Sequence, residues 1–183
     1  LAGHRGSAFG AIGLPKQPSQ EMFENKLATA IFSIRRSQAG QPHDLSIWME
    51  DESQRIGTVN LPQPFWQHFR QQPVCFLDIP FEERLQYLSS TYGKLNKGDL
   101  AAAITRIQKR LGGLETKTAL SHLVEGNIIE SFRILLHYYD KKYGQSLRER
   151  EHHDKLIQLV PAASVVAEEN ARRIHSMQTP VHI

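Results

Sequence analysis

Apolar residues recur every three to four positions along most of the chain, which is the spacing of one face of a helix. This spacing predicts helices over 19–36, 64–71, 80–92, 99–111, 115–124, 127–143 and 164–176. Two short segments, 45–49 and 74–79, are instead rich in consecutive apolar residues, as in buried strands. Residues 156–160 form a possible third strand before a proline.

Strands that alternate with helices predict an α/β protein whose parallel sheet is built through helical crossovers. Helices outnumber strands, so we also expect an inserted helical subdomain. The predicted organisation is an α/β core over 1–92, a helical subdomain over 93–150, and a returning strand, final helix and tail over 151–183.

The first residues are rich in glycine, with four of the twelve glycines in the first thirteen positions. Within His4-Arg5-Gly6-Ser7, Arg5 offers a planar set of donors suited to phosphate. Gly6 and Gly10 would let backbone N–H groups approach an anion, and Ser7 adds a hydroxyl. The alternative is a structural loop with an exposed arginine, because short glycine-rich runs are common.

Three consecutive acids, Glu50, Asp51 and Glu52, directly follow the predicted strand 45–49. Ligands of open α/β sheets bind at the carboxyl ends of strands, and acids placed there can hold Mg²⁺ or orient arginines. Asp51 is the predicted Mg²⁺ ligand, and Arg55 could be an ion-pair partner of the acids or a second anion contact. The alternative is an acidic loop in water.

Composition narrows the class of protein. The chain has 183 residues, 22 Lys+Arg against 19 Asp+Glu, and a net charge of +3, which is ordinary for a globular domain and excludes collagen, a coiled-coil rod and a fully disordered chain. No apolar run approaches the length of a membrane span. One cysteine, Cys75, precludes an internal disulfide and favours a reducing compartment. Its place in segment 74–79 predicts a core thiol.

Four basic pairs are candidate contacts to a phosphate backbone, although each lies late in a predicted helix, where the helix dipole favours cations anyway. They are Arg35-Arg36, Lys109-Arg110, Lys141-Lys142 and Arg172-Arg173. The nine histidines show no zinc spacing. Three functional classes therefore stay open: a phosphate-using transferase, an RNA-binding module, and a non-catalytic helical interaction domain.

Several ordered motifs together resemble the C-terminal half of the bacterial tRNA 2-selenouridine synthase family. The resemblance covers most of residues 1–176. It rests on His4-Arg5-Gly6-Ser7-Ala8-Phe9-Gly10, Gln17-Pro18-Ser19-Gln20, Phe23-Glu24-Asn25, Glu50-Asp51-Glu52-Ser53, Ile56-Gly57 and Leu61-Pro62, with Arg84, Leu88, Tyr92, Arg110-Leu111-Gly112, Tyr139-Asp140 and Tyr143 further on.

This resemblance implies a transferase that replaces sulfur by selenium in 2-thiouridine at the wobble position of tRNA. Selenophosphate would donate selenium, and an S-geranyl intermediate would be made from geranyl diphosphate. It also implies a cytoplasmic protein with a P-loop-like domain and an N-terminal rhodanese-like domain that carries the catalytic cysteine. In this pattern His4, Arg5, Gly6 and Ser7 lie beside the phosphate-binding end of the sheet, and the acids 50–52 take the place of a Walker B acid.

The chain departs from that pattern, because it contains no Gly-Lys-Ser or Gly-Lys-Thr step and no rhodanese-like segment. Cys75 does not stand in for the rhodanese cysteine, since it lies in a predicted strand. We therefore expect an incomplete P-loop-like sheet and a fragment that is inactive alone. Apolar residues near 45–49 and 74–79 should be exposed or covered by a second copy, which would make a homodimer.

Overall fold

The structure is a computed structural model that describes residues 1–37, 47–150 and 153–176. The chain divides into two compact units, Leu1–Arg70 and Gln71–Ile183. The domain boundaries predicted after residues 92 and 150 stay predictions. Within the described ranges, no helix is both long enough and apolar enough to cross a membrane.

The first unit begins with a glycine-rich loop and then forms helix α1, a hairpin and helix α2. Their bounds are α1 Gln20–Ser37, β1 Arg55–Ile56, β2 Val59–Asn60 and α2 Gln63–Arg70. The two strands pair antiparallel, with Ile56 opposite Val59. The turn between them contains Gly57, whose φ of 65° is the left-handed conformation that favours glycine.

Helix α1 starts where the sequence predicts it. The Ser19 hydroxyl oxygen accepts the backbone N–H of Met22 at 3.2 Å, which satisfies one of the unpaired donors of the first turn. Phe23 and Leu27 are one turn apart and are both buried. Arg35 and Arg36 lie in the last turn, where the helix dipole stabilises positive charge.

A small apolar cluster holds this unit together by joining the loop, the helix and the hairpin. Three partly buried residues, Ile31, Phe65 and Trp66, pack against it. The buried members are Ala2, Phe23, Leu27, Ile56, Val59 and Leu61.

The second unit contains the parallel sheet and seven helices among its described residues. Its elements are β3 Val74–Asp78, α3 Phe81–Tyr92, α4 Lys97–Arg106, α5 Gln108–Leu111, α6 Gly113–Glu125, α7 Ile128–Arg148, α8 His153–Leu156, β4 Ile157–Pro161 and α9 Ala167–Ser176. Helix α7 packs against both α3 and α6. The largest fully buried side chains here include Leu85, Leu100, Ile104, Leu123 and Leu135.

Strands β3 and β4 form a two-stranded parallel sheet in which Val74 pairs with Ile157 and Asp78 with Pro161. The α3–α8 helices connect the two strands. The predicted α/β class with a parallel sheet, helical crossovers and a helical insertion is confirmed, and it is consistent with a small incomplete P-loop-like domain.

Three local predictions need correction. Residues 47–50 are not a strand, and the first two residues of predicted strand 45–49 lie outside the described residues. The helix predicted to begin at residue 99 begins at Lys97, because the side-chain oxygen of Asn96 accepts the N–H groups of Gly98 and Asp99 and so caps α4. Cys75 is half-buried instead of core, because β3 is covered only in part.

Candidate functional site

The glycine-rich loop is a tight turn closed by its own hydrogen bonds. The N–H of Arg5 donates to the carbonyl of Gly10 at 3.1 Å, and the N–H of Gly10 donates to the carbonyl of Ser7 at 2.9 Å. The Ser7 hydroxyl accepts the N–H of Phe9 at 3.2 Å. Phe9 is buried, so it anchors the turn.

His4 fills the inside of this turn. Its Nδ1 accepts the N–H of Gly6 at 3.1 Å. A Cβ at Gly10 would lie 2.6 Å from His4 Cε1, and one at Gly57 would lie 2.7 Å from His4 Cδ2. The imidazole therefore sits between two glycines that leave room for it. Gly6 and Gly10 both donate their N–H groups within the loop, and the anion contact predicted for them stays a prediction.

Arg5 is the exposed cation of the loop. Its Nη1 donates to the carbonyl of Ile12 at 3.4 Å, which is at the long end of hydrogen-bond distance. The side chain is exposed, in contrast to the half-buried His4 and Ser7.

The loop and the acidic triplet meet in space. A Cβ built on Gly6 would overlap the carboxylate of Glu52, so this carboxylate lies directly against the Gly6 backbone. Gly6 also has a φ of 72°, which residues with a side chain rarely adopt. Segments some forty-five residues apart in sequence thus form one site.

The environment of Glu52 disfavours its negative charge. Burial raises the pKa of this carboxyl above its ordinary value, and the neighbouring charges of Glu50 and Asp51 raise the pKa further. A hydrogen bond from the backbone of Ser53 opposes the shift. Glu52 therefore takes up a proton more readily than an ordinary glutamate does.

Asp51 has an arginine partner that sequence analysis missed. Its Oδ1 lies 3.8 Å from Nη1 of Arg70, at the end of α2. Arg55 does not take this part, since its Nε donates to the carbonyl of Gly57 within the hairpin. Among the described residues, no ion pair joins Arg55 to the three acids. The apolar spacing in α2 indicates which face of the helix packs inward. It gives no information about the partner of the arginine at the end of the helix, so Arg70 was not predicted.

Gln17 ties the loop to the hairpin. Its amide Nε2 donates to the carbonyls of Ala2 at 2.9 Å and Ile56 at 3.0 Å. Its Oε1 accepts the N–H of Thr58 at 2.9 Å and the hydroxyl of Thr58 at 3.2 Å. One side chain thus fixes the loop that carries Arg5 against the hairpin that follows the acids.

The described residues contain no group of three or more His, Cys, Asp or Glu side chains that could hold a metal ion. Asp51 faces Arg70, and the carboxylate of Glu52 packs on Gly6. This donor set does not by itself fit a resident Mg²⁺. The Mg²⁺ at Asp51 stays a prediction from the sequence, and no step proposed below passes through it.

The basic pairs differ in their surroundings. Arg172 pairs with Glu168 at 3.6 Å and Arg173 with Glu169 at 2.7 Å, each one helical turn away on α9. Lys141 and Lys142 are exposed on α7. The positive charges of Arg172 and Arg173 are thus balanced by glutamates of the same helix.

Comparison with known proteins identifies the family of the chain. A sequence model of the family described as "tRNA 2-selenouridine synthase AAA domain" matches residues 1–171. The chain belongs to this family. The predicted resemblance is therefore confirmed, and it places the glycine loop, the acids and the sheet within one family domain.

Curated tRNA 2-selenouridine synthases are similar to this chain along most of its length. The protein of Marinobacter nauticus is 35% identical over 181 aligned residues, covering 82% of the chain and 47% of the relative. That of Nitrosomonas eutropha is 29% identical over 195 residues, covering 82% and 49%. That of Shewanella piezotolerans is 39% identical over 130 residues, covering 62% and 34%.

The chain spans about half the length of the first two of these synthases. No solved structure matches it.

Proposed function

We propose that this chain forms the phosphate-handling part of a tRNA-modifying transferase that converts 2-thiouridine at the wobble position into 2-selenouridine. The observation that carries the proposal is the family match over residues 1–171. In the proposed reaction, geranyl diphosphate transfers its geranyl group to the sulfur of 2-thiouridine and diphosphate leaves. The selenium of selenophosphate then bonds to the base carbon that carried sulfur, the sulfur leaves as geranylthiolate, and water cleaves the Se–P bond to release phosphate.

Both small substrates and the tRNA backbone carry phosphate groups, which explains why a cation at the loop would matter. When a bond forms between sulfur and the geranyl carbon, diphosphate leaves with the bonding electrons and its negative charge grows. A positioned guanidinium stabilises the transition state, in which this charge has developed, more than it stabilises the ground state. The activation barrier of geranyl transfer is therefore lower. We assign this task to Arg5, which is exposed at the rim of the turn.

His4, Gly6 and Ser7 would serve Arg5 by holding the turn, and not by contacting phosphate themselves. The ring of His4 accepts from Gly6, and the Ser7 hydroxyl accepts from Phe9, so both polar side chains are used inside the loop. The motif would thus contain one phosphate contact, Arg5, and three residues that position it.

An Arg5→Ala substitution tests the proposal. The variant should bind inorganic diphosphate and tRNA about tenfold more weakly than the unchanged chain in calorimetric titration, the size expected for one charge-assisted contact. In a longer enzyme that carries this sequence, 2-selenouridine in tRNA, measured by mass spectrometry of nucleosides, should fall.

Arg148→Ala is the matched control, because it removes the same charge from an exposed arginine in the last turn of α7, outside the four basic pairs. If Arg5→Ala and Arg148→Ala bind diphosphate equally well, the loop is not the phosphate site.

A further inference from the structure

The outward side of α1 carries an exposed aromatic ring near the C-terminal end of the helix. The opposite side is used for packing, since Phe23 and Leu27 are buried and Ile31 packs against the apolar cluster of the first unit. Phe32 lies on the outward side and is 66% exposed. Within the part of the chain that the structure describes, it is the one phenylalanine whose side chain is exposed. Packing of the first unit therefore does not explain this ring.

Two arginines follow Phe32 on the same side of the helix. Arg35 and Arg36 come three and four positions later, which is one helical turn, and both are exposed. Helical side chains tilt towards the N-terminus, so the two arginines lean towards the turn that carries Phe32. We call these three residues the α1 end.

The two arginines are not neutralised on their own helix. The nearest acid of α1, Glu24, lies about three turns before Arg35, which is ~16 Å along the helix axis. Among the residues that the structure describes, none makes an ion pair or a ring contact with the side chain of Arg35 or Arg36. Arg172 and Arg173 of α9, by contrast, each pair with a glutamate one turn away. The helix dipole favours cations at the end of α1, but it does not require an exposed ring beside them.

A single ring beside two unpaired cations fits a nucleic acid better than a protein. The residues one turn before Phe32 on the same side are Ala28 and Thr29, which are small, so the ring is not part of a wide apolar patch of the kind that docks a protein. One ring is enough to stack one base, and arginines beside it can bind the neighbouring phosphates. The bases of a duplex are already paired and stacked, so a stacking ring selects unpaired nucleotides.

We propose that the α1 end binds unpaired nucleotides of the tRNA, with Phe32 stacking on one base and Arg35 and Arg36 contacting the phosphates next to it. This inference rests on the proposed function, in which tRNA is a substrate. It adds to that function a binding surface outside the glycine-rich loop and the acidic triplet. The wobble base lies in an unpaired loop of the tRNA, so the proposed substrate supplies a ligand of this chemistry.

Substitution of Phe32 tests the stacking contact. The full chain and its variants are titrated with labelled tRNA, single-stranded oligouridine and a duplex RNA, and binding is followed by fluorescence anisotropy. Phe32→Ala should weaken binding of tRNA and oligouridine about tenfold, the size of one lost base–ring contact, and leave duplex binding unchanged. Phe32→Trp should keep the affinity of the unchanged chain, whereas Phe32→Leu, which is apolar but has no ring, should not. Met22→Ala is the matched control, because Met22 is a 49% exposed apolar side chain of the same helix.

The arginines are tested through the salt dependence of binding. Arg35→Gln/Arg36→Gln should lower the slope of log Kd against log salt concentration by about 1.4 for oligouridine, because each phosphate contact to a single strand contributes about 0.7. Phe32→Ala should leave this slope unchanged, since it removes no charge. Arg172→Gln/Arg173→Gln is the matched control, because glutamates already balance this pair, and its slope should change by less than about 0.7.

The outcomes separate this inference from the proposed function. If the unchanged chain does not bind tRNA, the proposed function fails and this inference fails with it. If the unchanged chain binds tRNA and the variants of the α1 end bind equally well, only this inference is overturned. It is also overturned if Phe32→Leu binds oligouridine like the unchanged chain, or if Phe32→Ala alters only the sedimentation of the chain, because the ring then contacts a second copy. Circular dichroism monitors folding, and the comparison of Phe32→Trp with Phe32→Leu decides if the alanine variant unfolds.

Discussion

Gly6 combines two constraints at the level of a single residue. Its backbone is in the left-handed region with a φ of 72°, and the carboxylate of Glu52 occupies the space where a Cβ would lie. Either constraint alone favours glycine, and together they make the position specific for it. Sequence analysis predicted the turn, but it could not predict the close approach of a side chain forty-six residues away.

Gly6→Ala should destabilise the protein by about 1–2 kcal/mol through backbone strain, with a further loss from displacement of Glu52. Chemical denaturation monitored by tryptophan fluorescence would measure the change in the free energy of unfolding. Gly113→Ala is the control, because a Cβ there meets nothing within 4 Å; its effect should stay within about 0.5 kcal/mol. Equal effects of the two substitutions would contradict the contact.

Glu52 makes stability depend on pH in a defined direction. Its pKa is raised in the folded state, so the folded protein holds this proton to higher pH than the unfolded chain does. Unfolding then releases a proton, and the stability contributed by Glu52 is lost as pH rises from its ordinary pKa through the raised value.

Glu52→Gln should therefore become more stable relative to the unchanged protein as pH rises through that window. Thermal unfolding at a series of pH values from about 4 to 7 would measure the difference. Glu24→Gln, on the exposed surface of α1, serves as the comparison. A constant difference between Glu52→Gln and the unchanged protein across the series would argue against a buried carboxyl.

At the scale of elements, α3 and α7 contact each other through ion pairs and aromatic rings. Arg84 and Asp140 form a two-point ion pair, and the ring of Phe81 stacks on His137 with centroids 4.3 Å apart. The guanidinium of Arg133 lies near the same ring and pairs with Glu82. The family motif contains Arg84 and Asp140 without indicating that they touch, since fifty-six residues separate them.

The Arg84–Asp140 pair should show measurable coupling. Because both side chains are about one-third exposed, a double-mutant cycle of Arg84→Ala and Asp140→Ala should give about 0.5–1 kcal/mol, and each single substitution should destabilise the protein. The same cycle on Arg172 and Glu168, an exposed pair 3.6 Å apart on α9, should give about 0.3 kcal/mol or less. Similar coupling energies for both pairs would show that the two hydrogen bonds between Arg84 and Asp140 add no stability beyond that of an exposed ion pair.

Elements with strong local signals were predictable from sequence. Segment 74–79 lies between Pro73 and Pro80 and forms β3 within one residue, because an apolar run between two prolines leaves few alternatives. Segment 45–49 carries a weaker signal, with a serine inside the run, and residues 47–49 are not a strand. Helix α4 begins two residues before the predicted start at 99, because Asn96 caps it, and the apolar spacing alone does not indicate this cap.

At the scale of the whole molecule, a net charge of +3 is too small to attract tRNA by itself, so the proposed tRNA binding would depend on local basic clusters. The α9 arginines are balanced by Glu168 and Glu169. The exposed lysines of α7 are the better candidates for contact with a phosphate backbone.

The Lys141→Ala/Lys142→Ala variant should weaken tRNA binding and lower the salt dependence of log Kd by about two, one for each lost phosphate contact. Arg172→Ala/Arg173→Ala should change the slope of log Kd against log salt concentration by less than about 1, which is less than the effect of one phosphate contact. Binding measured by fluorescence anisotropy between about 50 and 200 mM salt would distinguish the two. A larger loss in the α9 variant would move the predicted RNA contact away from α7.

Several predictions about the whole molecule depend on exposed apolar side chains. Trp48 and Met49, near segment 45–49, are 53% and 37% exposed, and Leu159 on β4 is 61% exposed. The expected exposure near the strands is confirmed. The homodimer that would cover these residues stays a prediction, because a periodic sequence pattern identifies apolar faces but not what covers them.

The side-chain amide of Gln17 makes four hydrogen bonds that hold the glycine-rich loop against the hairpin. Both its hydrogens and both lone pairs of its oxygen are engaged, by Ala2, Ile56 and Thr58. Asparagine is one carbon too short to reach them, and glutamate would turn an anion towards two carbonyl oxygens. Hydrolysis of this one amide during storage would thus detach the loop from the hairpin, so an ageing preparation should lose the diphosphate affinity proposed for Arg5 before its helices melt.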